Sequence, residues 1–173
     1  MAKETKTFAA KRAEMSKSRD RYGLVKVVQK LEIFSELSEE EALHILGKCA
    51  RKAFEPGEVI WNPGDSGVDM LVLITGKLHV KDDQGQLVGH VLPGASFGEM
   101  ACFTGHDRFV GFEAVEASTA LSLSRESLHA MISTQPAMYV KILETTIELL
   151  AHRVSRAGSG AVVKTEDGRP GLW

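Results

Sequence analysis

Cysteine is scarce in this 173-residue chain: Cys49 and Cys102 are the only two. Two cysteines give no disulfide framework and no zinc-ligand spacing, so both read as small buried hydrophobes. Histidine occurs six times but scattered, at 44, 79, 90, 106, 129 and 152. There is no His-x-His, and no carboxylate stands where a metal-dependent β-barrel enzyme would need one. A phosphate-binding P-loop, a Gly-x-Ser-x-Gly elbow and a Ser/His/Asp grouping are also missing, which points away from an enzyme. No apolar run approaches the ~20 residues that cross a bilayer. The first residues lack the apolar stretch of a secretory signal, so a cytoplasmic location is expected. Charge of one sign is lacking too: 21 Lys/Arg stand against 23 Asp/Glu, a net of −2. That balance leaves the whole chain without a nucleic-acid footprint, and DNA is set aside as a partner.

What is present suits one soluble domain. Hydrophobic residues make up 43% and charged residues 25%, enough for a core without staples. The charge is uneven. Residues 1–21 hold seven Lys/Arg and three Asp/Glu, a local +4 that leaves −6 for the rest. That segment has no sustained apolar stripe and reads as a solvated basic arm. Residues 22–155 read as the folded domain and 156–173 as a flexible tail.

Within the domain, Leu24, Val25, Val27, Val28 and Leu31 recur at helical spacing over 22–31. Ser38 with Glu41 three residues on forms a capping box for a second helix. From Ala53 the chain is broken every several residues by Pro-Gly, Pro-Gly-Asp and Thr-Gly-Lys, the punctuation of an antiparallel barrel or sandwich. Strands are expected near 52–55, 58–62, 69–75, 77–82, 86–92, 110–116 and 119–124. Gly76 is expected at a turn with positive φ. Helix resumes after Ser124, and Pro136 suits the first turn of a last helix over 136–155. Tyr139, Ile142, Leu143, Ile147, Leu150, Ala151 and Val154 give that helix a wide apolar stripe. The order of helices, strands, helices predicts an α+β, mainly β chain: an antiparallel β-roll or jelly-roll barrel flanked by N-terminal helices and a C-terminal lid helix.

The chemistry concentrates in Phe97-Gly98-Glu99-Met100-Ala101, followed after six intervening residues by Arg108. A guanidinium can fork onto a phosphate with two charge-assisted hydrogen bonds. Glu99 can accept a hydrogen bond from a sugar hydroxyl. Backbone N–H groups from Gly98 to Ala101 can face an anion if a helical turn begins there. Small side chains at 98 and 101 let that anion approach.

This segment resembles the phosphate-binding cassette of the cyclic nucleotide-binding domain family, whose pattern is roughly Phe-Gly-Glu-Leu/Met-Ala, six variable residues, then Arg. Pro56-Gly57-Glu58-Val59-Ile60 with Pro63-Gly64-Asp65 resembles the family's first hairpin. Met70 to Val80 resembles its central strands and Gly turn. The resemblance implies that Arg108 binds the cyclic phosphate and Glu99 the ribose 2′-hydroxyl. The ligand-binding set is then Phe97, Gly98, Glu99, Met100, Ala101, Arg108, Phe109 and Val110, with no catalytic and no metal residues. Phe109-Val110-Gly111 departs from the family, which usually has a small residue after the Arg, then Ala or Thr. If the Phe109 ring points inward it fills the pocket. For the walls, Val72, Leu73, Val88 and Val91 are candidates; for the lid, Tyr139, Ile142 or Leu143, with Thr145 and Thr146 as hydroxyls near a base.

The expected function is a stand-alone regulatory module that binds cAMP or cGMP as ligand, has no cofactor and signals through the lid helix to a protein effector. A DNA-binding helix-turn-helix does not fit in the residues after 155. The alternative is a degenerate domain of the same fold that binds no nucleotide and acts through the last helix in protein docking or as a homodimer.

Overall fold

The structure, a computed structural model, describes residues 25–158. The expected basic arm and most of the expected tail lie outside the described residues. Of the first expected helix, residues 25–28 are helical and 29–30 turn. A 3-10 turn follows at Glu32–Phe34.

Helix α1 (Glu39–Lys48) starts where the capping box predicts. The Ser38 hydroxyl accepts from the Glu41 N–H, and the Glu41 carboxylate accepts from the Ser38 N–H at 2.8 Å. Eight strands come next: β1 (Ala50–Phe54), β2 (Val59–Trp61), β3 (Asp69–Thr75), β4 (Leu78–Lys81), β5 (Leu87–Val91), β6 (Ser96–Phe97), β7 (Gly111–Ala114) and β8 (Ser118–Ser124). Helix α2 (Glu99–Thr104) interrupts them between β6 and β7. Helices α3 (Arg125–Thr134) and α4 (Pro136–Gly158) close the fold. Helix α4 is described as far as Gly158, three residues past the expected end.

The strands pair antiparallel in two sheets of order β1-β8-β3-β6 and β2-β7-β4-β5. One core lies between them. Phe54, Leu71, Leu73, Phe97 and Ala120 from the first sheet meet Leu78, Val80, Val91, Phe112 and Ala114 from the second. The other face of the first sheet is covered by helices. There Met70, Val72 and Leu123 pack with Val25, Val28, Phe34, Ile45, Leu128, Met131, Met138 and Ile142. Strand β3 reads as an unbroken apolar run because side chains alternate across it and both faces are buried. This placement corrects two candidate walls: Leu73 lies in the inter-sheet core and Val72 on the helix side.

Gly76 has φ +95, and a Cβ there would sit 2.1 Å from the Ser118 hydroxyl, so the turn after β3 requires glycine on two counts. Both cysteines pack as small hydrophobes. Burial pushes the Cys102 and Cys49 thiols up to about 12, so neither is a thiolate at neutral pH.

Candidate functional site

Strand β6 is only two residues long and carries no periodic signal, so the sequence reading passes over it. Its pairing of Phe97 with Leu71 and Ser96 with Val72 fixes where the next turn emerges. The chain then bends at Gly98, φ +77, and enters α2. The first bond within α2 is from the Cys102 N–H to the Gly98 carbonyl at 3.1 Å. The N–H groups that precede it fall outside the helical ladder. Buried Ala101 packs closely on Gly67, which has to lack a side chain: a Cβ on Gly67 would lie 2.5 Å from that of Ala101.

Arg108 is 3% exposed. It donates from Nη1 to the Gly98 carbonyl at 2.8 Å, and from Nη2 to the Asp69 carbonyl at 2.6 Å and the Asp69 carboxylate at 2.8 Å. Its Cζ lies 3.5 Å from the Trp61 ring centroid, a cation–π contact. A buried cation of this kind persists only when paired. Burial pulls the guanidinium's pKa below that of a free arginine, and Asp69 works in the opposite direction. Asp69 is anchored in turn by Lys52 at 2.8 Å and Ser122 at 2.9 Å. Three of the five guanidinium N–H groups are thus used, and Nε has no partner among the described residues.

Glu99, 2% exposed, is the second buried charge. Its Oε1 accepts from Nη1 of Arg153 on α4, whose Nη2 donates to the Ser96 carbonyl at 2.8 Å. Its Oε2 has no partner among the described residues.

All eight expected ligand residues line one cleft of about 820 Å³, together with Val88, Val91, Leu149, His152 and Arg153. They do so in different ways. The Phe97 ring is core, 4.9 Å from that of Phe112 and 5.4 Å from that of Trp61. Met100 and Val110 are half-buried. The Phe109 ring is 56% exposed, with its nearest ring contact to His106 at 6.4 Å. It therefore does not fill the pocket.

The lid expectation needs correction. Tyr139 packs on Phe103 and Ile142 is fully buried in the helix-side core. The α4 residues at the cleft are Leu149, His152 and Arg153, two to three turns farther on. Thr145 and Thr146 donate to carbonyls four residues back, at 2.9 and 2.7 Å, so their hydroxyls are used within the helix. The apolar stripe of α4 also divides in two. Met138 and Ile142 face the domain, whereas Val140, Ile147 and Val154 are about half exposed.

Sequence reasoning missed three functional candidates. Trp61 was legible only as a strand residue, and Asp69 only as the start of β3. Arg153 carries no signal beyond its place in the last expected helix.

Residues 51–135 match the protein-family profile described as the cyclic nucleotide-binding domain. A cyclic nucleotide-binding domain from Methylobacillus flagellatus superposes with a TM-score of 0.70, at 26% identity over 80% of each chain. The catabolite activator protein of Thermus thermophilus superposes at 0.64, with 27% identity, over 73% of this chain and 60% of that one. Among curated proteins, a candidate potassium channel protein of Rhodopseudomonas palustris is 26% identical over 119 residues. That match takes in 67% of this chain and only 29% of the relative's length.

Proposed function

Because the chain belongs to the cyclic nucleotide-binding domain family through residues 51–135, we propose that it is a regulatory module whose cleft binds a purine cyclic nucleotide, cAMP or cGMP. The observation that carries this reading is the convergence of two buried charges on one cleft, each with a hydrogen-bonding atom still free. Arg108 offers its Nε–H and a remaining Nη1–H to a phosphate. Glu99 offers Oε2 to a ribose hydroxyl. The N–H groups that open α2 lie beside them and suit the phosphate. Asp69, itself held by Lys52 and Ser122, fixes Arg108, and none of the three lines the cleft, so the guanidinium is placed before a ligand arrives.

No step of this function is catalytic. Binding is read out through α4, which meets the cleft at Leu149, His152 and Arg153. A partner that favours one position of that helix senses occupancy, since a ligand shifts an equilibrium only by its different affinity for the two states. Among the described residues no helix is long and apolar enough to cross a membrane.

A specific observation favours a homodimer as one partner arrangement. Val140, Ile147 and Val154 recur every seven residues on the outer face of α4, with half-buried Leu143 and Leu150 between them. β-Branched residues at one seam position and leucine at the other favour a two-stranded parallel coiled coil. The degenerate, ligand-free alternative draws its main support from an inward Phe109, and the exposed ring counts against it.

Isothermal titration calorimetry against cAMP and cGMP tests the reading. Saturable binding is expected, weakened roughly ten- to a hundred-fold by Arg108→Lys, which keeps the charge but loses the fork. Absence of saturable binding to either nucleotide up to millimolar concentration refutes it.

A further inference from the structure

The histidines that look scattered along the chain are not all scattered in space. Strands β4 and β5 pair so that His79 stands directly opposite His90. Their neighbours Leu78, Val80 and Val91 are buried between the sheets, so alternation sends both imidazoles to the outer face of the second sheet. The two ring centroids are 5.2 Å apart, with the planes inclined at 48°. Neither ring has a hydrogen-bond partner among the described residues. His90 is exposed and His79 half-buried, so an ion reaches them from solvent. The turn between the strands is tied by the Asp82 carboxylate, which accepts from the Gln84 N–H at 3.0 Å and the Gln86 N–H at 2.7 Å.

We propose that His79 and His90 form a two-histidine site for a divalent transition-metal ion of the Zn²⁺ or Ni²⁺ class. The site is structural rather than catalytic, and it does not depend on the proposed reading of the cleft. Eleven residues separate the two histidines in the chain, a spacing that matches no metal motif; only the strand register brings them together.

The separation of the rings suits one shared ion. With zinc–imidazole bonds of about 2.0–2.1 Å and a tetrahedral angle, two rings on one ion have centroids roughly 5 Å apart. The hairpin already sets that distance, so ion binding has only side-chain torsions left to adjust. The surrounding charges select the class of ion. Glu113 lies opposite His79 on β7 but is paired with Lys81, and Lys77 stands just before β4. Two lysines against one carboxylate do not draw in a hard cation such as Mg²⁺, which needs oxygen ligands. Imidazole nitrogen instead suits zinc, nickel and copper. No third His, Cys, Asp or Glu among the described residues completes a set of three. Water therefore fills the remaining positions, and the site holds its ion less tightly than a closed four-ligand site does. Strand β5 is the outer strand of its sheet, paired only with β4, and its Val88 and Val91 line the cleft. An ion shared by the two strands ties that wall of the cleft to the interior of the sheet.

For the test, Zn²⁺ and Ni²⁺ are titrated separately into the full chain by calorimetry, at neutral pH in a buffer that does not bind them. Urea unfolding is then followed with and without each ion. Saturable binding of one ion per chain is expected, together with a higher urea midpoint, because the folded hairpin holds both ligands in register and the unfolded chain does not. His79→Asn and His90→Asn should each weaken binding at least about ten-fold, since losing even an outer partner of a metal ligand costs that much. Each should also abolish the midpoint shift, and the double variant should lose little more than either single one. His129→Asn, on α3, should change neither readout, and Mg²⁺ should produce neither. If His79→Asn fails to fold, His90→Asn, at an exposed position on the outer strand, carries the comparison alone. Binding that survives both substitutions, or that leaves the midpoint unmoved, places the ion on histidines elsewhere and overturns the inference. Absence of saturable binding of either ion up to millimolar concentration overturns it as well. None of these results depends on whether cAMP or cGMP binds, so the failure of one proposal is distinguishable from the failure of the other.

Discussion

Replacing Gly98 with alanine probes the turn on which the whole cleft depends. Gly98 has φ +77, and an added Cβ would stand 2.5 Å from Arg108 Nη1 and 2.7 Å from the Trp61 ring. Gly85, in the hairpin between β4 and β5, has nearly the same φ, +76, with nothing within 4 Å of its added Cβ. The two substitutions therefore share the backbone penalty, about 1–2 kcal/mol for an L-residue in left-handed geometry, and share the lost flexibility of the unfolded chain. Their difference isolates crowding. Neither neighbour at Gly98 yields easily, because Arg108 is held by three hydrogen bonds and Trp61 packs against Phe97 and Phe112. Overpacking of this kind costs about 1–3 kcal/mol. Gly98→Ala should thus be about 1–3 kcal/mol less stable than Gly85→Ala in urea unfolding followed by circular dichroism, with matching m-values. It should also lose at least about ten-fold in nucleotide affinity, which corresponds to about 1.4 kcal/mol, while Gly85→Ala binds normally. Equal midpoints and equal affinities for the two variants would show that the Arg108–Trp61 stack does not constrain the turn.

Asp69→Asn removes the charge beneath Arg108 and should cost about 3–5 kcal/mol of stability, as breaking a buried pair does; calorimetry should also show weaker nucleotide binding, although Asp69 is not assigned a ligand contact. The pKa of Glu41 is drawn below its ordinary 4.5 by its hydrogen bond from Lys141 and then by the Ser38 N–H. Its contribution is therefore present above pH 4.5 and lost as pH falls through the lower folded-state value. Acid unfolding of Lys141→Met should accordingly show a shallower dependence of stability on pH in that range than the unsubstituted protein. Ile147→Glu, on the outer face of α4, should convert a dimer to a monomer in sedimentation equilibrium while shifting domain stability by less than about 0.5 kcal/mol; a mass unaffected by the substitution excludes that face as the dimer seam. Phe109→Ala should leave affinity within about three-fold, since the ring is exposed; newly gained binding would instead mark the cleft as blocked in the native chain.

The parts of the fold that were legible in the sequence are those set by local chemistry. The capping box at Ser38 and Glu41 announced α1, and Pro136 announced α4. The apolar run from Met70 to Ile74 fell on β3 at its observed bounds, because a strand buried on both faces needs no alternation. Strand β6 could not be read. Two residues give no period, and Ser96–Phe97 is a strand only because Val72 and Leu71 lie opposite it. The division of α4 was hidden for a related reason. Its apolar residues are numerous enough to form one wide stripe, and which of them turn inward depends on the sheet beneath.

At the cleft, the same contrast separates the motif residues from their supports. Gly98, Glu99 and Arg108 are close in sequence, so spacing alone could bring them together on the page. Asp69 lies 39 residues from Arg108, and Arg153 lies 54 from Glu99. Nothing local marks either one, since an aspartate at a strand's start and an arginine late in a helix both read as solvated. Each is nevertheless the ion-pair partner of a buried group that lines the cleft. A short motif can therefore reveal which residues gather at the cleft while leaving unseen the charges that hold them in place. One of those charges sits on the helix proposed to carry the signal, so the support for Glu99 and the proposed route of communication share a single side chain.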